Sequence, residues 1–233
     1  MLGNFRFFFV KHSPVYKFLD FLPVGSAVLD VGCGNCRSAG RLREIRPDIE
    51  FYGIDILSYE DCEKILTDFK IINLEQEDIP YPDQHFSGII MSHVLEHLKN
   101  TATIKKEIHR VLKKEGVIFI ATPSLVTLNL PKKSSLKKFG IPSNTLNFYD
   151  DETHIGRPYS PCDLERWLPM GFEVLMNGYI KNPFKKVLSP IQAVVGIVLR
   201  NPDYVSSAVW ELFGGVSYVI ARKINFHEKE SEQ

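Results

Sequence analysis

An excess of either charge is missing from this sequence: 28 Lys and Arg residues are matched by 28 Asp and Glu over 233 positions. A chain without net charge exerts no long-range pull on nucleic acid, so contact with a polyanion would fall to a local basic patch. Long apolar runs are missing too. No stretch approaches the ~18 uninterrupted apolar residues of a membrane-crossing helix. The N-terminal MLGNFRFFFVKH interrupts its short apolar run at Arg6 and has no small-residue cleavage site, which argues against a secretory leader. Cysteine is scarce. Cys33, Cys36, Cys62 and Cys162 are too few and too scattered for a disulfide scaffold, and a reduced, cytoplasmic setting is the expectation. With no internal repeat either, one α/β domain with a sizeable core is expected at this length.

What is present is organised around AVLDVGCGNC, residues 27–36. Small and apolar residues lead into Asp30, a turn carries Gly32 and Gly34, and Ala39, Leu42 and Ile45 then recur at helical spacing. Strand, glycine turn and helix together aim helix N-terminal amides and bare backbone at a ligand. A Cβ at either glycine would block positive φ or hold the ligand off the main chain. A dinucleotide fingerprint needs a third glycine where Arg37 stands, which disfavours an NAD-dependent oxidoreductase. A Walker loop is absent. The next strand, IEFYGIDI, ends in Asp55, and an acidic residue roughly 20 residues beyond the glycines is placed to bind ribose hydroxyls.

Elsewhere, Ser13-Pro14 opens a helix whose face is Val15, Phe18, Leu19 and Leu22, and the preceding Phe5, Phe7, Phe8 and Phe9 read as an apolar arm. Lys70 to Asn73 is a short third strand, and a fourth runs through Ile90. The helix TATIKKEIHRVLKKEG stops at Gly116, and Val117 to Thr122 is a fifth strand, apolar throughout. Pro123 opens a long irregular stretch to about Tyr159 carrying Lys132, Lys133, Lys137 and Lys138. It reads as a solvated basic loop, or as a contact for an anionic substrate or acidic lipid headgroups. Ser160, Pro161 and Asp163 make a well-formed helix start. GFEVLMN is a sixth strand. Phe184 to Phe213 reads as two helices broken at Pro190 and Pro202, serving as core, an oligomer interface or a lid over an apolar acceptor. Residues 215–223 form the last strand.

Asp30-Val31-Gly32-Cys33-Gly34 resembles the first motif of class I S-adenosylmethionine-dependent methyltransferases, with Cys36 where a last glycine is usual. Ile79-Pro80-Tyr81-Pro82-Asp83, Phe86 and Ser92-His93-Val94-Leu95-Glu96-His97 are similar to the small-molecule branch of that family, the type 11/23-like members. The resemblance implies a Rossmann-like three-layer α/β sandwich, its seven-stranded, mostly parallel sheet having the last strand antiparallel between the fifth and sixth. A single domain over 1–225 is expected, with an N-terminal arm and helix (1–25), acceptor-side insertions at 123–160 and 178–214, and a polar tail at 226–233; the resemblance covers most of Ala27 to Asn177 and the final strand. The cofactor would be S-adenosyl-L-methionine. Asp30, Gly32, Cys33, Gly34, Asp55, Ile56, Asn73, Leu74 and Ser92 would hold it, with Asn73 and Leu74 framing the adenine. His93 and His154 are the candidate general bases, because histidine titrates near neutral pH.

Methyl transfer to an oxygen or nitrogen of a small-molecule, sugar or lipid-linked acceptor is the function implied, without nucleic acid as partner; a peripheral membrane contact is compatible with it. A non-catalytic nucleoside-binding protein is the other alternative. Two further motifs are set aside. His93-x-x-Glu96-His97 spells a zinc-peptidase signature, but His93 belongs to a strand-to-helix turn, and no metal is expected. Cys33-x-x-Cys36 could be redox-active, but Cys33 lies between the two motif glycines.

Overall fold

The computed structural model describes residues 13–181 and 183–224, so the aromatic arm and the polar tail lie outside the described residues. In chain order the elements are α1 (Pro14–Asp20), β1 (Ala27–Val31), α2 (Arg37–Ile45), β2 (Glu50–Asp55), α3 (Cys62–Ile65), β3 (Asp68–Ile71) and β4 (Phe86–Ser92). There follow α4 (Ala102–Val111), β5 (Leu112–Pro123), α5 (Lys133–Lys138), α6 (Pro161–Trp167), β6 (Phe172–Tyr179), α7 (Pro183–Val198), α8 (Pro202–Phe213) and β7 (Val216–Lys223).

Strand residues alternate between two cores, as the pleat requires. Leu29, Val31, Ile89, Met91, Ile118 and Ile120 face one side, where Ile104 and Ile108 of α4 and Leu164 of α6 cover them. Val28, Ile90, Val117 and Phe119 face the other, under Phe18 and Leu19 of α1 and Ala39 and Leu42 of α2. The result is a three-layer sandwich. The strand order is β3-β2-β1-β4-β5-β7-β6. β1 pairs in parallel with both β2 and β4, whereas β7 runs antiparallel between β5 and β6, as the resemblance implied. A parallel order that reverses direction outward from β1 leaves a crevice at the carboxyl ends of β1 and β4.

Two local expectations are corrected. Helix α4 ends at Val111, not Gly116. Fully buried Leu112 turns extended and pairs with Phe86, and the Lys223 ammonium donates to the carbonyls of His109 at 2.6 Å and Leu112 at 2.8 Å, closing the helix end. Helix α7 runs through Pro190, whereas the break at Pro202 stands: α8 begins there, after a turn at Arg200, where φ is +51°. Nor is α7 plain core: among its described side chains Ser189 and Gly196 are the buried positions, while Ile191, Val194 and Val198 are 60–75% exposed. A Cβ at Gly196 would lie 2.9 Å from Val205 of α8, so a small residue lets the two helices close on each other and the apolar stripe faces outward.

Candidate active site

The glycine turn leaves β1 and enters α2 through backbone that L side chains seldom adopt: φ is +67° at Gly32, +52° at Gly34 and +58° at Cys36, the N-cap of α2. Gly32 and Cys33 donate their N–H groups to Ile54 O at 2.8 and 3.2 Å. Gly34 donates to Asp55 Oδ2 at 2.8 Å, and Leu57 donates to Asp55 Oδ1 at 3.0 Å. The turn is therefore hung on the end of β2. A Cβ at Gly32 would come within 2.5 Å of Val94 Cγ2, whereas one at Gly34 would meet nothing within 4 Å and would project into open space.

Beside this turn lies a cavity of about 500 Å³. Asp30, Gly32 and Cys33 line it from β1, Ser92 and His93 from β4, and Tyr16, Lys181 and Glu211 close its sides. Asp30 is 4% exposed and its carboxylate has no hydrogen-bond partner among the described residues. Burial, and after it the Asp55 charge, pushes the Asp30 carboxyl up to about 7. Burial likewise holds the Cys33 thiol far above its ordinary range, so it is no nucleophile.

In the same lining, His93 sits at φ +57° and donates its backbone N–H to Ala121 O at 2.8 Å, which turns the ring out of the strand. Its Nδ1 is 3.1 Å from Oε1 of Glu96, a carboxylate with no exposure. A buried carboxylate on Nδ1 leaves Nε2 to work as the base. Sequence reasoning missed Glu96, although it stands in the same Ser92-to-His97 run; the i,i+3 spacing to His93 was its signal.

The other candidates are dispersed. Gly34 and Asp55 form the rim of the turn, and Ile56 beside them is 62% exposed. Asn73 lies past β3, its Oδ1 accepting from Glu75 N at 3.0 Å, while Leu74 packs on the α4-side core. His154 does not reach the cavity wall. Its Nδ1 is 2.7 Å from Phe148 O, its ring stacks 4.4 Å from that of Phe148, and its side chain is 5% exposed. The expectation of reduced cysteines is also corrected: Cys36 is bonded to Cys62, with Cα atoms 5.5 Å apart. That disulfide ties the start of α2 to α3. Only Cys33 and Cys162 are free thiols.

This arrangement fits an adenosyl sulfonium. A buried carboxylate without a partner complements a cation, the Asp55 oxygens each keep a lone pair for a hydroxyl, and Gly34 leaves room where a Cβ would stand.

Residues 29–120 match the family described as methyltransferase domain. A probable S-adenosylmethionine-dependent methyltransferase of Mycolicibacterium smegmatis is 25% identical over 138 residues, covering 59% of this chain and 54% of that protein. The tRNA (carboxymethyluridine(34)-5-O)-methyltransferase of Arabidopsis thaliana is 33% identical over 117 residues, 48% of this chain and 28% of that protein. This chain thus spans about half the length, or less, of these curated relatives. Among solved structures, a SAM-dependent methyltransferase from Archaeoglobus fulgidus shares the fold, with a TM-score of 0.52 at 21% identity over 90% of this chain and 91% of that one. Residues 29–120 thus match a methyltransferase domain, within a sheet ordered as the class I S-adenosylmethionine-dependent resemblance implied, and S-adenosyl-L-methionine is the cofactor which that match implies.

Proposed function

We propose that this chain transfers the methyl group of S-adenosyl-L-methionine to an oxygen, or a nitrogen, of a small apolar or lipid-linked acceptor. The observation that carries the reading is one cavity lined by both the partnerless Asp30 carboxylate and His93, whose Nδ1 rests on Glu96. When bound, the cofactor supplies a methyl group already activated by its sulfonium. Asp30 answers the positive charge, Gly32, Cys33 and Gly34 provide close backbone, Asp55 holds hydroxyls, and Ile56, Asn73, Leu74 and Ser92 complete the cofactor wall. His93 Nε2 takes the proton that an acceptor hydroxyl or ammonium must lose, and Glu96 stabilises the imidazolium. Holding the two partners in line, with water excluded, contributes ~7–11 kcal/mol to lowering the barrier.

The acceptor class is inferred from the surface. Residues 125–149 and 180–201 contain no acidic residue; the first carries Lys132, Lys133, Lys137 and Lys138, and the second carries Lys181 and Arg200 together with the exposed stripe of α7. An exposed apolar stripe on a segment whose charged residues are all cations suits the surface of an anionic bilayer, where a lipid-linked acceptor resides. No described helix is long and apolar enough to cross a membrane. A cytoplasmic setting belongs to this reading, with Cys36 and Cys62 both fully buried. Release of S-adenosylhomocysteine with phenols, quinols, lipid-linked sugars and, as a control, tRNA tests it. Turnover with an apolar acceptor on anionic vesicles supports the reading. Turnover with tRNA alone contradicts the acceptor class, and donor binding without any turnover makes the chain a binding protein.

A further inference from the structure

We propose that Glu96, His97 and His154 form a binding site for one divalent ion of the zinc class, at the junction of the β4 turn and the segment 148–156. One ligand atom from each of the three lies within 4.8 Å of the others. Backbone holds the two segments together, since Ile155 and Gly156 both donate to Glu96 O, at 3.1 and 3.0 Å. A Cβ at Gly156 would stand 3.3 Å from that carbonyl, so the approach relies on glycine.

Glu96 is the strongest pointer. Its Oε1 serves His93, but its Oε2 is buried with no hydrogen-bond partner. A carboxylate oxygen out of water and without a donor is costly, and a cation beside it removes the cost. The imidazoles are oriented as ligands are. Nδ1 of His154 is 2.7 Å from Phe148 O and Nδ1 of His97 is 3.1 Å from Thr153 O. An Nδ1–H given to a carbonyl leaves the Nε2 lone pair free and fixes the ring. The ring centroids lie 4.9 Å apart at 52°, which lets two nitrogens converge on an ion ~2.0–2.1 Å from each. Asp151 adds a carboxylate at the rim, with Oδ2 3.8 Å from His154 Nε2.

Two imidazoles with one or two carboxylates suit zinc and its first-row neighbours, whereas calcium and magnesium prefer oxygen alone. The donor set differs from the peptidase signature. There His93 and His97 would be the pair; here His93 faces the cavity, and the partner of His97 arrives from a distant loop. The ion would pin the segment 148–156 to the turn that carries His93. The proposal stands apart from methyl transfer, because equilibrium binding reads it out. One competitor needs control: Cys33, Cys36 and Cys62 also cluster, but with Cys36 bonded to Cys62 a single thiol remains.

Metal-stripped protein, kept oxidised, is titrated with Zn²⁺ by calorimetry and with Co²⁺ by visible absorption. We expect one ion per chain, cobalt bands free of thiolate charge transfer, and a zinc-dependent rise in Tm. Affinity should fall about a hundredfold in His154→Ala and in Glu96→Gln and stay unchanged in Cys33→Ser. His97→Gln, a change at a half-buried position, gives the same loss and guards against misfolding of the other two variants. Absence of binding, or binding that persists in a folded His97→Gln protein, overturns the proposal. Thiolate charge transfer abolished by Cys33→Ser also overturns it, by assigning the ion to the cysteines.

Discussion

Asp55 stands near enough to Asp30 for its charge to add to burial in raising the Asp30 carboxyl to about 7. An unfolded aspartate titrates near ~3.9. Between about 4 and about 7 the native state therefore holds a proton that the unfolded state has lost, so the stability of the free protein falls as pH rises through that window and levels off above it. Asp30→Asn flattens the fall. The variant should melt higher than wild type at pH 8, yet bind the donor about tenfold more weakly, the ~1.4 kcal/mol of one charge-assisted contact. Thermal melts at pH 5 and pH 8 with calorimetry check both signs, and a variant identical to wild type at pH 8 refutes the assignment.

The two turn glycines should separate stability from binding. At Gly32, with φ +67° and Val94 Cγ2 2.5 Å from an added Cβ, Gly32→Ala is expected to cost ~2 kcal/mol or more of folding stability. At Gly34, with open space above it, Gly34→Ala should cost only ~1 kcal/mol of stability but place a methyl where the donor lies. Denaturant unfolding and donor titration of both variants decide. Equal effects on folding, with donor affinity untouched, contradict this division.

His93 and Glu96 are predicted to act together. His93→Gln should lower kcat ~10²–10⁴-fold for an acceptor that must lose a proton, leaving donor affinity unchanged. Glu96→Gln should lower kcat less, through loss of the negative charge 3.1 Å from Nδ1. Turnover at saturating donor across pH 6–9 gives the check. Near-normal rates for His93→Gln would mean that positioning alone suffices.

The Cys36–Cys62 bond closes a loop with a sequence separation of 26. Cys62→Ser should therefore lower unfolding stability by ~2–4 kcal/mol, and wild type under a strong dithiol reductant should approach the variant. Urea unfolding with and without reductant tests this. Wild type indifferent to reduction would show the bond adds nothing.

The turn at Asp30 to Gly34 was legible because glycine spacing after an apolar strand is a local signal, whereas the sheet order came only with the resemblance to the family. The partner of Cys36 was not, since spacing alone gives no connectivity. Glu96 went unread because a carboxylate at i+3 is structural or functional according to burial, and burial is a tertiary property. His154 read as an acceptor-side base from its polar neighbours, but Phe148 and Asp151 close around it in the fold. In α7, periodicity showed which residues share a face and not which face points inward; Gly196 against Val205 decides that.

The cradle formed by Asp30, Gly34 and Asp55 is tested most directly by titrating the oxidised full chain with S-adenosyl-L-methionine, and in parallel with NAD, by calorimetry. One donor site per chain, silence toward NAD, and a loss of ~2–3 kcal/mol in Asp55→Ala are the predicted results. Heat with NAD alone, or a donor dissociation constant unchanged in Asp55→Ala, would contradict the account.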